Sequence, residues 1–186
     1  FIFPVTTLRP ETIFGVTNLW VNPNVTYKKV SVDNETWIVS EECVKKIEFF
    51  EKEVKIIGDI QGSEIIGKYA TVLHNNQEIP ILEAEFVEPG MGTGLVMSVP
   101  AHAPKDYQAL MDLKAKNHEL ASKIEPIPII VTPGYDAYPG KQICEKLGVS
   151  NQTDEKLEEA TKELYLKEFT DGKLNEKCEQ FNNEKV

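Results

Sequence analysis

Asp106 is the residue of this chain whose type and position most invite chemistry. It lies in GTGLVMSVPAHAPKDYQAL, Gly92 to Leu110, which reads as a glycine turn, a buried strand, a proline-bounded turn and then a helix with a carboxylate in its first turn. At about 100° per residue, Asp106 shares an arc with Tyr107, Ala109, Leu110 and Leu113, the apolar side of that helix. Lys105, Gln108, Asp112, Lys116 and Glu119 cluster on the opposite side and can face water. A carboxylate on a buried face is costly unless a cation or a hydrogen-bond donor meets it, and the helix N-terminus helps to keep it ionised. The pattern describes a socket for a ligand cation. The competing reading is an ordinary capping Asp, although a cap need not face the core. Pro104 suits the first helical position, where its missing N–H loses nothing.

Arg9, in TTLRPET, is the second candidate. Of the 20 basic residues it is the sole Arg, which suggests that position 9 needs a planar donor fork for carboxylate or phosphate; a chance Arg holding a turn is the alternative. Nucleophilic constellations are missing. No Ser–His–Asp or Cys–His arrangement stands out, since the cysteines fall outside both motifs and Ser98 lies within a strand. His102 is tempting as a base, but a lone His in a turn is more often structural. His74 and His118 are not spaced with it for a metal site, and no metal is expected.

The elements that must position these residues follow from pattern. Phe1–Thr7 is β-prone, and Arg9–Thr12 fits a short helical start. Tyr27–Val32 and Glu35–Ser40 flank Asp33-Asn34 as a hairpin, and Tyr69–Leu73 with Glu78–Leu82 suggest a second about His74–Gln77. Ser40 can cap a helix running to about Phe50. Glu85–Val87 is expected as a short strand and Leu95–Val99 as a central one. A helix from about Pro104 to Ala121 follows, then extended chain at Pro126–Val131, a short helix Pro139–Leu147 stopped by Gly148, and a longer one from Asp154 to about Phe169 capped by Asp154 or Thr153. Hairpins early and helices late, without strict βαβ alternation, predict an α+β fold: a small, mostly antiparallel β-barrel or curled sheet flanked by helices.

Composition narrows the classes. With 186 residues the chain suits one domain, expected over residues 1–172, with the polar stretch 173–186 as a connector. The first residue is Phe1 rather than Met, so a piece of a longer protein is expected. No apolar run approaches a membrane span and no signal peptide is visible. Cys43, Cys144 and Cys178 are odd in number and lack CxxC spacing, which fits free thiols in a reducing cytoplasm. A net charge of −10 rules out holding RNA or DNA by bulk phosphate attraction. Any nucleic acid must be delivered by another part of the molecule or touched at a small local site.

TTLRPETIFGVTNLWVNP and GTGLVMSVPAHAPKDY together resemble the editing domain inserted into the class I synthetases for leucine, valine and isoleucine. Leu8 between the threonines and RPET, and Ala103 in VPAHAPKDY, look like the leucyl-tRNA synthetase branch of archaeal type. EPIPIIVTPGY and KLEEATKELYLKEF extend the resemblance over nearly the whole chain.

The resemblance implies post-transfer editing, the hydrolysis of a wrongly attached amino acid from the 3′ end of tRNA(Leu). Such a second sieve is needed because a hydrophobic synthetic site separates side chains differing by one methylene by only about 1–3 kcal/mol. By motif match, Asp106 holds the α-ammonium of the misattached amino acid, and Thr12 crowds the pocket against leucine with its stiff χ1. Thr7 and Thr6 contact the terminal adenosine and the ester, with Thr7 and Asp106 as the catalytic pair. Arg9 orients Glu11 or the ribose–phosphate edge, Met97 and Val99 line the other wall, and His102 is a further candidate contact. Ala103 replaces a second Asp of bacterial relatives, leaving Asp106 as the one essential acid. No covalent intermediate and no cofactor are expected here, ATP and Mg belonging to the parent's synthetic site. Expected partners are the tRNA(Leu) 3′ end and the rest of the synthetase, with no membrane or DNA, and the isolated domain a monomer. The alternatives are an editing domain of a valine or isoleucine enzyme, which Leu8 and PAHAPKD disfavour, and a non-catalytic insertion that only docks the tRNA end.

Overall fold

Asp33 and Asn34 both adopt positive φ (48° and 69°), the backbone of a two-residue turn whose twist suits a tight hairpin. A computed structural model describes residues 1–49 and 53–186. Where length suggests one domain, the chain forms two compact units. The first comprises Phe1–Thr7 and Asn18–Met97, the second Leu8–Thr17 and Ser98–Val186. The chain therefore changes unit within each of the two motifs.

The first unit contains β1 (Asn18–Val21), β2 (Thr26–Val32), β3 (Glu35–Val39), helix α1 (Glu41–Glu48), β4 (Val54–Gln61), the single turn α2 (Gly62–Ile65), β5 (Tyr69–Thr71), β6 (Glu78–Glu83) and all but the last residue of β7 (Val96–Ser98). The Asp33-Asn34 hairpin is β2–β3, and β4 pairs antiparallel on the other edge of β2. Val30, Val32, Val39, Cys43, Val44 and Ile47 close over one another as an apolar core. Ser40 caps α1 as expected, its Oγ accepting the Cys43 N–H at 3.2 Å; the predicted end near Phe50 lies outside the described residues. The second hairpin is also present, as β5–β6.

Strand order in the larger sheet is β5-β6-β1-β7, with β1 and β6 parallel. The strand predicted as central, β7, thus stands at the end of that order. Glu85–Val87, predicted as a strand, forms none, Glu85 and Phe86 lying in a turn. β1 and β4 carry no strand prediction. The fold is α+β, with four-, three- and two-stranded sheets among the described residues and no closed barrel.

In the second unit Pro10–Gly15 forms a 3₁₀ turn. Then come α3 (Pro104–Ala115), α4 (Glu119–Ser122), β8 (Ile130–Val131), α5 (Pro139–Leu147), α6 (Lys156–Asp171) and β9 (Lys173–Leu174). The helix predicted from Pro104 to Ala121 breaks after Ala115, where Asn117 takes φ 57° and His118 Nδ1 accepts the Ala121 N–H to start α4. α5 stops at Gly148 as its sequence predicts. The polar stretch 173–186 is folded into this unit: β9 pairs with β8, and Leu174 and Cys178 are buried with Ile129 and Ile130. Spacing between buried apolar residues, rather than overall polarity, decides its place.

Candidate functional site

The Arg9–Thr12 turn is held by one carbonyl. Arg9 O accepts both the Thr12 N–H at 3.0 Å and the Thr12 hydroxyl at 2.5 Å, which fixes the rotamer of a side chain already stiff at χ1. Thr12 is buried. Gly15, at the end of the same turn, lets it lie against Val99: a Cβ there would come within 3.0 Å of Val99 Cγ1 and 3.2 Å of Ile127 O.

Asp106 sits where the periodicity places it, in the first turn of α3 and 5% exposed. Its Oδ2 accepts the Val99 N–H at 2.8 Å, while the Val99 carbonyl accepts the N–H groups of His102 and Ala103. A short loop is thereby closed from the end of β7 to the start of α3, and the carboxylate cannot swing without breaking it. The opposite face of α3 is less wet than its sequence suggests. Gln108 is buried with its amide on Asp112 Oδ1 at 2.9 Å, Asp112 accepts the Gln152 N–H at 2.8 Å, and Lys105 meets Glu158 of α6 at 2.6 Å. The 150s loop thus engages Asp112 on a face that periodicity leaves to water, while Lys116 and Glu119 on the same face stay exposed.

His102 is turned inward. It is 0% exposed. Its Nδ1 lies 2.7 Å from Glu168 Oε1, and its Nε2 accepts the N–H groups of Ile129 and Ile130 at 2.9 and 3.2 Å. Two backbone donors at Nε2 place the ring hydrogen on Nδ1, facing the carboxylate. With both nitrogens engaged in this structure, His102 ties the Ile129–Ile130 backbone to Glu168.

Arg9 uses the fork that its uniqueness implied. Nε meets Glu11 Oε1 at 3.0 Å, Nη2 meets Glu168 Oε2 at 2.7 Å, and Cζ lies 4.5 Å from the centroid of the Tyr165 ring. Burial works against its charge, but Glu168, Tyr165 and Glu11 outweigh that and raise its pKa above the usual value. Glu11 is one of the two partners expected for it. The Tyr165 hydroxyl is pushed up to about 12, chiefly by burial and next by the nearby Asp106 charge.

Glu168 is the residue that sequence reasoning missed. It is fully buried in α6 and joins Arg9 to His102, with the Thr132 hydroxyl 3.4 Å from Oε1. A signal existed: Leu157, Ala160 and Leu164 are the buried stripe of α6, and Glu168 continues it one turn on. The second unit thus brings together Arg9, Thr12, Val99, His102 and Asp106.

Thr6, Thr7 and Met97 belong to the first unit. Thr6 and Thr7 are exposed and Met97 is half-buried. Thr6 lies against the glycine turn: Gly92 has φ 55°, and a Cβ added there would fall on Thr6 Oγ1. Among the described residues no group of three or more His, Cys, Asp or Glu is arranged to hold a metal, and no helix is long and apolar enough to cross a membrane.

A family model described as the leucyl-tRNA synthetase editing domain matches residues 2–123. Leucine–tRNA ligase of Methanocaldococcus jannaschii is 47% identical over 95% of this chain and 20% of its own length. That of Methanothrix thermoacetophila is 49% identical over 94% of this chain and 19% of its own. This chain therefore spans about a fifth of the length of those archaeal relatives. The crystal structure of the P. falciparum cytosolic leucyl-tRNA synthetase editing domain shares the fold, with a TM-score of 0.89 at 22% identity over 99% of this chain and 71% of that one. The family match contains both motifs, the Arg9–Thr12 turn and the start of α3 alike, and the chain belongs to the leucyl-tRNA synthetase editing-domain family.

Proposed function

We propose that this chain is the post-transfer editing domain of a leucine–tRNA ligase, hydrolysing the aminoacyl ester of mischarged tRNA(Leu) while sparing the leucyl ester. The observation that carries this reading is Asp106, a buried carboxylate at a helix start, pinned by the Val99 N–H and sited to meet the α-ammonium of a bound amino acid. A charge fixed in place before the substrate arrives needs no reorganisation when it binds.

In the reaction, water adds to the ester carbonyl carbon, the bond to the ribose oxygen breaks, and that oxygen takes up one of the water's protons while the other passes to solvent as the amino acid leaves as its carboxylate. The ester is already activated, so holding it against water supplies much of what is required. Thr12, locked on the Arg9 carbonyl, is the steric stop against leucine, with Val99 beside its turn. For Thr7 as Asp106's catalytic partner, and for Thr6 and Met97 as contacts, the reading rests on the motif match. The tRNA 3′ end is the substrate-bearing partner, and the net charge of −10 leaves the rest of the synthetase to deliver it. ATP and Mg serve the synthetic site of that parent.

The test is deacylation of Ile-tRNA(Leu) beside Leu-tRNA(Leu) by the full-length enzyme. Rapid loss of the isoleucyl ester with the leucyl ester spared is the expected result. Survival of both would leave the domain a docking insertion. Labelled amino acid trapped on the protein would replace direct hydrolysis by acyl transfer to a side chain.

A further inference from the structure

Both motif turns of the second unit end on one side chain that lies in neither motif. Glu168 comes from α6, far along the chain, and is 0% exposed. One of its oxygens takes Arg9 Nη2 at 2.7 Å and the other takes His102 Nδ1 at 2.7 Å. Arg9 carries Thr12 on its carbonyl. His102 begins the turn that returns through the Val99 carbonyl to α3, where Asp106 closes on the Val99 N–H. A continuous series of polar contacts thus runs from the specificity threonine to the ammonium-binding aspartate, with Glu168 at its middle.

We propose that Glu168 is a positioning residue for editing: by holding Arg9 with one oxygen and His102 with the other, it sets where Thr12 stands relative to Asp106. This rests on the editing reading above. The chemistry at the junction is selective. A carboxylate accepts at both oxygens, whereas an amide accepts at one end and donates at the other. Gln in its place satisfies His102 or Arg9 but sets N–H against N–H at the second partner. Asp keeps both acceptors and the charge but is one methylene too short to reach both turns. Tyr165, one turn earlier on the same face of α6, stacks on the Arg9 guanidinium and keeps the fork in the plane that the carboxylate needs.

The experiment compares the full-length synthetase with its Glu168→Gln and Glu168→Asp variants in deacylation of Ile-tRNA(Leu) and Leu-tRNA(Leu), with aminoacylation and thermal melting followed in parallel. A merely structural loss removes active molecules and lowers both deacylation rates by one factor. A displaced pocket changes their ratio. The expected result is a fall of about tenfold or more in kcat for the isoleucyl ester with KM changed by less than about threefold, a Leu-to-Ile rate ratio raised severalfold, and aminoacylation retained. A ratio and a kcat per folded molecule equal to wild type would overturn the proposal, as would loss of the folded domain in both variants. Wild-type enzyme that deacylates neither ester would instead overturn the editing reading itself.

Discussion

The two units solve the problem of an interior differently. In the first, Val30, Val32, Val39 and Ile47 close an apolar core, and the polar side chains buried there are uncharged: Asn18, Ser40 and Thr93. In the second, His102, Asp106 and Glu168 are all buried. Apolar packing depends on shape and degrades gradually as volume is removed. A buried ionic network depends on every acceptor keeping its donor, and fails abruptly when one is taken away. Residues at which a ligand could meet fixed charge lie in the unit built the second way.

The sharpest way to break that contrast is Glu168→Ala. Leaving Arg9 with its buried counterion removed should cost about 3–5 kcal/mol, whereas Ile38→Val in the first unit should cost about 0.5–1.5 kcal/mol. Chemical denaturation of both variants checks this, and equal losses would erase the distinction. Next comes Asp106→Asn, which keeps an acceptor for the Val99 N–H but not the charge. Deacylation of Ile-tRNA(Leu) should fall at least about 100-fold with the melting temperature nearly unchanged. Thr12→Ala should raise hydrolysis of Leu-tRNA(Leu) about 10- to 100-fold, the scale on which a hydrophobic sieve discriminates, measured in the full-length enzyme.

The smallest effect is alkaline. Tyr165 is pushed up to about 12 from an ordinary value near 10, so between those values the unfolded chain releases a proton that the folded chain keeps. Stability therefore falls as pH rises through that window. Cys144, also raised to about 12 by burial and then by Glu145, adds to the fall from a lower starting pH. Tyr165→Phe should flatten part of the decline in a series of thermal melts above pH 10, and an unchanged slope would remove Tyr165 from it.

What could be read from the sequence was local. The Asp33-Asn34 hairpin, the Ser40 cap, the Gly148 stop and the buried face of α3 each depend on residues within a few positions of one another. β4 escaped because most of its residues are exposed and Gly58 interrupts it, so no alternation survives. β1 escaped because all four of its residues are buried, which erases the period of two. Glu168 escaped among the glutamates of α6 because its partners lie 66 and 159 residues away. The inward contacts of His102 were hidden for the same reason: its partners at Ile129, Ile130 and Glu168 are all distant in sequence.

On the proposed reading, Thr12 divides two duties between two groups. Oγ1 is committed to the Arg9 carbonyl, so the hydroxyl serves the turn and the methyl is what remains to bear on a guest. Serine retains the tether and gives up the bulk; valine retains the bulk and gives up the tether. On the proposed role of Thr12, one substitution can therefore loosen the sieve without loosening the fold, or the reverse, and selectivity is free to drift while the architecture stands.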